Sequence, residues 1–220
     1  MQNRVRASII VAMMCSHLYV HAGDPASVDE PRFASRSKWV LHITSVSAAG
    51  EQSAEDVQLT LLWKVKDGTW LFSRSRPDPP DVDSKDMIRT IAGKTHVSWD
   101  GRDSTSRSDP TEDVRFKFPL SVGQSWTNEY DVLSDGHRRH FVARHRVVGW
   151  EDLKVRAGAF RALRVENELS SRELGSDSAQ TVTRDTDWYV PEVQNSVLER
   201  IRFDNGASTD LELISFSLLR

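Results

Sequence analysis

Three histidines, His137, His140 and His145, lie within nine residues of one another, and imidazoles are common metal ligands. Geometry limits them. Side chains alternate between the two faces of a strand, so His140 and His145, five apart, point to opposite sides and cannot share an ion without a bulge. His137 follows directly on the Asp135-Gly136 turn, and His42 and His96 have no neighbour at ligand spacing. The stretch reads as a polar strand beside water, with no metal or other cofactor. Paired carboxylates come next. Asp185 and Asp187 project together with Thr183 and Tyr189 if residues 181–190 form a strand, and an Asp-x-Asp pair can hold a divalent cation or perform acid–base chemistry. Arg139, Arg144, Arg146, Arg161 and Arg164 lie within reach of such acids, and ion pairing is the commoner fate of charges on a sheet. Glu129 and Asp131 alternate away from Trp126, Asn128 and Tyr130 and read as a solvent face.

The chain lacks a serine-nucleophile elbow, a phosphate loop, a dinucleotide glycine pattern and a His-Glu-x-x-His pair. No catalytic residue is therefore assigned. The remaining chemistry-bearing residues are seven tryptophans: Trp39, Trp63, Trp70, Trp99, Trp126, Trp150 and Trp188. Most should be core, because each buries a large apolar area. Trp63, Trp70, Trp126, Trp150 and Trp188 are the candidates for a concave, aromatic ligand-binding face.

The elements that must position these residues are strands. From Lys38 onward one short alternating run follows another, with turn residues about every ten positions. Val57, Leu59, Leu61, Trp63 and Val65 share one face and lead through Asp67-Gly68, a tight-turn pair, to Trp70 and Phe72. Residues 76–86, rich in proline and aspartate, form an exposed loop. Asp86 to Lys94 has helical spacing of Met87, Ile88 and Ile91 and is expected as a short helix. A strand is expected around Val97 and Trp99, then a polar loop over 100–113. Further strands are expected at Val114 to Leu120, Trp126 to Leu133, Arg139 to Val148, Trp150 to Val155, Phe160 to Leu169, Thr181 to Val190, Val197 to Phe203 and Thr209 to Leu218. The sum is an all-β fold of about ten strands with at most one short helix: a curved antiparallel sheet, a sandwich or an open barrel.

Composition sets the compartment. With 38% hydrophobic and 28% charged residues, the chain has the make-up of a globular protein. Arg4 and Arg6 precede an apolar run from Ala7 to Cys15, and Val20-His21-Ala22 supplies small residues at cleavage spacing. Residues 1–22 read as a signal peptide, since that run is far short of the roughly 20 residues needed to span a bilayer. Residues 23–36 are a polar, flexible leader and 37–220 a single β domain. Cleavage removes Cys15, leaving a domain without thiols, and it removes two arginines, leaving 27 basic side chains against 32 acidic ones. That balance argues against a nucleic-acid partner.

Several segments together resemble a widespread group of bacterial exported proteins of unknown function. They are Phe118-Pro119-Leu120 with Val122-Gly123-Gln124-Ser125-Trp126, then Val148-Gly149-Trp150-Glu151 leading to Val155-Arg156-Ala157-Gly158-Ala159-Phe160-Arg161-Ala162, and finally Trp188-Tyr189-Val190-Pro191. After the proline segment that group has a glycine and a valine where this chain has Gln194-Asn195-Ser196-Val197. The resemblance implies an envelope protein of antiparallel β architecture, related to the open barrels of periplasmic lipoprotein carriers, and no catalytic residues. The expected function is a noncatalytic envelope protein that binds a hydrophobic small molecule or another envelope component. A structural or assembly module is the second reading, and a hydrolase centred on Asp185 and Asp187 the third.

Overall fold

In the computed structural model, residues 23–64, 69–77, 85–90, 95–97, 114–134, 137–175 and 180–219 are described. They hold eleven strands: β1 (Lys38–Val46), β2 (Gln52–Lys64), β3 (Thr69–Ser75), β4 (Lys85–Thr90), β5 (Thr95–Val97), β6 (Ser125–Ser134), β7 (His137–Val155), β8 (Gly158–Glu173), β9 (Thr181–Val190), β10 (Asn195–Phe203) and β11 (Ser208–Ser217). All belong to one antiparallel sheet in the order β5-β4-β3-β2-β1-β11-β10-β9-β8-β7-β6. Each half of the chain is a meander, and the halves are joined by β1 on β11, from Lys38↔Ser217 to Val46↔Ser208. The chain thus begins and ends its strands at the centre of the sheet and leaves the two edges, β5 and β6, to its middle.

Alternation explains which face is buried. Trp39 and Leu41 on β1 and Val57, Leu59 and Leu61 on β2 are all buried, with Phe72 of β3 beside them. They form one core cluster with Trp188, Val190, Val193, Val197 and Leu213, and the β7–β8 hairpin end contributes Val155 and Ala162. Ala157 donates its backbone N–H to Leu213 O at 3.0 Å, which ties that hairpin end to β11. A second cluster joins Trp126, Val147, Leu163, Val165 and Tyr189 of β6–β9 to Val28 and Leu120, which lie outside every strand. Val28 and Leu120 exchange backbone hydrogen bonds of 2.8 Å in both directions. Turns follow their chemistry: Gly206, at φ 86°, closes the β10–β11 hairpin in a conformation that L side chains rarely adopt.

Several sequence expectations change. The segment from Asp86, expected as a helix, is strand β4 as far as Thr90, because pairing with β3 satisfies its backbone whereas a helix of that length is marginal alone. Residues 91–94 lie outside the described residues, as do Val65, the Asp67-Gly68 turn, Trp99, the 100–113 loop and the signal segment 1–22. Val114 to Leu120, expected as a strand, joins no sheet ladder beyond the Val28 bridge; Pro119 lacks an N–H to donate, and the Phe118-Pro119 bond is cis. The strands expected at 139–148 and 150–155 are one strand, β7, carried past Gly149 by a bulge. Trp63, expected on the buried face with Leu61, is 55% exposed, because the β2–β3 register shifts between these two residues. Residues 23–36, expected as a loose leader, make specific contacts: besides the Val28 bridge, Phe33 packs edge-on against Trp39 and Phe72, and Asp24 pairs with Arg161 through two hydrogen bonds of 2.8 and 2.7 Å.

Candidate functional site

The register of β7, β8 and β9 places His145, Asn167 and Asp185 in one cross-strand row, and β8, β9 and β10 place Val165, Asp187 and Glu199 in the row two residues on. Alternation puts both rows on one face. Onto them comes the segment 114–120, whose Arg115 reaches three carboxylates at once. Its Nε donates to Asp187 Oδ2 at 2.8 Å, and one terminal nitrogen reaches Glu199 Oε1 at 2.6 Å and Asp185 Oδ2 at 3.4 Å. Asp187 is 1% exposed and also accepts hydrogen bonds from Asn167 Nδ2 and Ser196 Oγ, each at 2.9 Å. Asn167 Nδ2 donates to Asp185 as well, while its Oδ1 pairs with His145 Nδ1 at 2.7 Å. The His145 ring stacks on Trp126 with centroids 4.9 Å apart, and the indole N–H of Trp126 donates to Val114 O at 2.6 Å. Asn128, whose Nδ2 lies 3.5 Å from Val114 O and 3.3 Å from His145 Nε2, completes a polar chain from the segment's backbone at Val114 to its side chain at Arg115.

Three acids face one guanidinium. Burial pushes the carboxyls of Asp187 and Asp185 above the usual carboxylate range, against the opposing pull of Arg115. Burial also opposes the charge on Arg115, but Asp187, Glu199 and Asp185 together raise its pKa well above its ordinary value. Beside the cluster lies a cavity of about 20 Å³ touching Ser196, Glu199 and Leu211. One water would fill it. With both its oxygens occupied by donors and only a water-sized cavity against it, Asp187 has the geometry of a lock on segment 114–120, while Asp185, 21% exposed, also borders a wider surface depression. Apolar contacts complete the lock: the rings of Phe116 and Phe118 lie 5.3 and 5.6 Å from that of Tyr189.

The arginines expected to meet Asp185 and Asp187 go elsewhere. Arg144 pairs with Glu168, Arg161 with Asp24 and Asp152, and Arg164 with Glu151 and Glu166; Arg139 donates to Ser171 and Thr181. His145, Asn167 and Asp185 border, with Arg144, Glu168 and Arg184, a shallow depression of about 430 Å³ in which Glu168 pairs with both arginines. The histidines separate as alternation requires. His140 binds Asp131 at 2.7 Å near the surface, His145 is buried in the polar chain, and His137 binds Glu173. Hydrogen bonding from His140, aided by Arg138, holds the Asp131 carboxyl below its ordinary range. Among the described residues no three metal-ligating side chains converge.

The four tryptophan candidates whose side chains are described, Trp63, Trp126, Trp150 and Trp188, are not brought to one pocket. Trp126 and Trp188 are buried, and Trp188 donates to Glu151 Oε2 at 2.9 Å under the Arg200 guanidinium. Trp150 packs partly buried against the second core cluster, and Trp63 faces water. Trp70 lies in β3 opposite Lys64 and Arg89, with its side chain outside the described residues. Sequence reasoning missed Arg115, Asn167, Ser196 and Glu199. Its one usable signal was the arginine opening an aromatic alternation, Arg115-Phe116-Lys117-Phe118, but the partners of that arginine come from two strands distant in sequence, β9 and β10.

No protein-family model matches the chain, and no curated protein matches it. Its fold is matched among solved structures. A protein of Bacteroides fragilis described as exported, with a YmcC-like fold, aligns at 12% identity with a TM-score of 0.52, covering 87% of this chain and 99% of its own. A protein of Parabacteroides distasonis described as a lipoprotein aligns at 14% identity with a TM-score of 0.51, covering 86% of this chain and 99% of its own. What this chain shares with them is the fold, an open, curved, all-antiparallel sheet.

Proposed function

We propose that this chain is a noncatalytic bacterial envelope protein that works by binding another envelope component. One observation carries the reading: the apolar inner face of β6–β9 is covered by two non-strand segments, around Val28 and from Phe116 to Leu120, instead of by a second layer of sheet. Such a face is a binding surface whose cover the chain itself supplies. Export is supported by the Arg4-to-Ala22 segment and by the descriptions of the two solved proteins as exported and as a lipoprotein. The burial of Asp187, with every oxygen held by a donor, speaks against the hydrolase reading. The carrier version, in which tryptophans grip a hydrophobic small molecule, is weakened because Trp126 and Trp188 are spent in the core.

Two measurements separate these versions, one in whole cells of a producing bacterium and one on protein purified gently from them. Photo-crosslinking from positions 63 and 117, both exposed, should capture a specific envelope partner in whole cells, with no small-molecule adduct in native mass spectrometry. A reproducible lipid or glycan adduct without crosslinks would replace this reading by the carrier one.

A further inference from the structure

We propose that residues 114–120 act as an intramolecular ligand: they occupy, in the free protein, a groove that takes an arginine-bearing aromatic peptide segment of the partner. The inference rests on the binding reading above and names the chemistry that the site selects. The way the segment is held supports it. Among the described residues its only backbone ladder bonds are those at Leu120, and from Val114 to Pro119 it is fastened by side chains and by carbonyls accepting from side chains. Arg115 fills an acidic subsite made by Asp187, Glu199 and Asp185, and Phe116 and Phe118 sit on Tyr189 in an apolar subsite floored by Val165 and Leu163. Each contact is one that a peptide supplied from outside can reproduce.

The charge of the groove favours that class of occupant. Without Arg115, three carboxylates would face the site with no arginine or lysine of the described residues paired to them, so a neutral or anionic chain would leave them unpaired at high cost. An arginine is the side chain that reaches several carboxylates through one planar fork. The apolar subsite beside it asks for an aromatic residue next in sequence. Competition from the tethered segment, present at an effective concentration on the order of millimolar, keeps the groove closed to weak ligands and reserves it for a partner that binds better than the chain's own Arg-Phe-Lys-Phe.

The test uses a fluorescent peptide of sequence Val-Arg-Phe-Lys-Phe-Pro-Leu and the full exported chain. In an Arg115→Ser, Phe116→Ser variant that keeps its β circular dichroism, the peptide should bind at least tenfold more tightly than to the unmodified chain. A peptide with glutamine for arginine should bind at least tenfold more weakly than the parent. A folded variant that ignores the peptide, or binds both peptides alike, overturns the proposal. Should the double variant fail to fold, Phe118→Cys decides: excess peptide should speed its thiol labelling at least tenfold, and an unchanged rate overturns the proposal. Failure here together with a crosslinked partner would leave the binding reading standing and place the partner elsewhere on the sheet.

Discussion

Arg115 is the cation shared by three carboxylates, those of Asp185, Asp187 and Glu199. Removing one member of a buried ion cluster leaves the others uncompensated, which costs about 3–5 kcal/mol. Arg115→Ala should lose stability on that scale in urea unfolding at about pH 8, and the deficit should shrink toward pH 5 as the stranded carboxyls take up protons. The unmodified chain has its own pH dependence. Asp185 and Asp187 have folded-state pKa values raised by burial, so the native state binds protons where the unfolded state does not. Their contribution is fully present below the ordinary carboxylate pKa and is lost as pH rises through the raised values. Asp131, held low by His140 and Arg138, works oppositely: its contribution is present above the ordinary pKa and is lost as pH falls through the lowered one. Stability across a denaturant–pH series should therefore peak on the acid side of neutrality, and Asp185→Asn should flatten the alkaline limb. Sequence inspection found this acid pair by parity alone. It misjudged the pair's surroundings because Arg115 lies 70 or more residues away along the chain, and no local pattern records a contact at that separation.

Turns and bulges govern the elements, and here the sequence is informative in proportion to how local the cause is. The turn after β9 places Gln194 at φ 58°, in the left-handed region that favours glycine. Gln194→Gly should relieve left-handed strain and stabilise by up to about 1 kcal/mol after the entropy of the new glycine is set against it. Gly123, at φ 86° between Leu120 and β6, should behave oppositely, with Gly123→Ala costing about 1–2 kcal/mol; paired thermal unfolding curves check both signs. Strands with clean alternation, such as Val57 to Leu61, were legible because one face meets the core. The segments misread were those where long-range pairing decides: Lys85–Thr90, whose apolar spacing suits a helix, and 114–120, whose strand-like alternation serves a groove. The bulge that turns Trp63 outward is equally invisible in a period-two pattern. Trp63→Ser should change stability by less than about 0.5 kcal/mol while lowering crosslinking at the neighbouring surface, an outcome that separates an interaction role from a packing role.

At the scale of the whole molecule, fold class was legible because nearly every run alternates and nearly every gap holds turn residues; sheet order was not. Nothing in the sequence says that β1 lies against β11, since that choice depends on which distant edges match once both meanders exist. The pairing spans most of the chain, so folding should be slow for its size, with kinetics in the millisecond-to-second range typical of non-local β topologies. Lys38 sits opposite Ser217, and Leu219 donates its backbone N–H to Ser37 Oγ at 3.3 Å. That closeness lets the protein be rewired. A short linker from residue 219 to residue 37, with new ends opened between residues 100 and 113, would convert the order into a plain run from β6 through β11 and β1 to β5, every neighbour in space becoming a neighbour in sequence. Such a permutant should keep the sheet and fold faster than the natural chain; it gives up residues 23–36, and with them the Val28 bridge and the Phe33 ring contacts, and its cut frees the upstream end of the 114–120 segment.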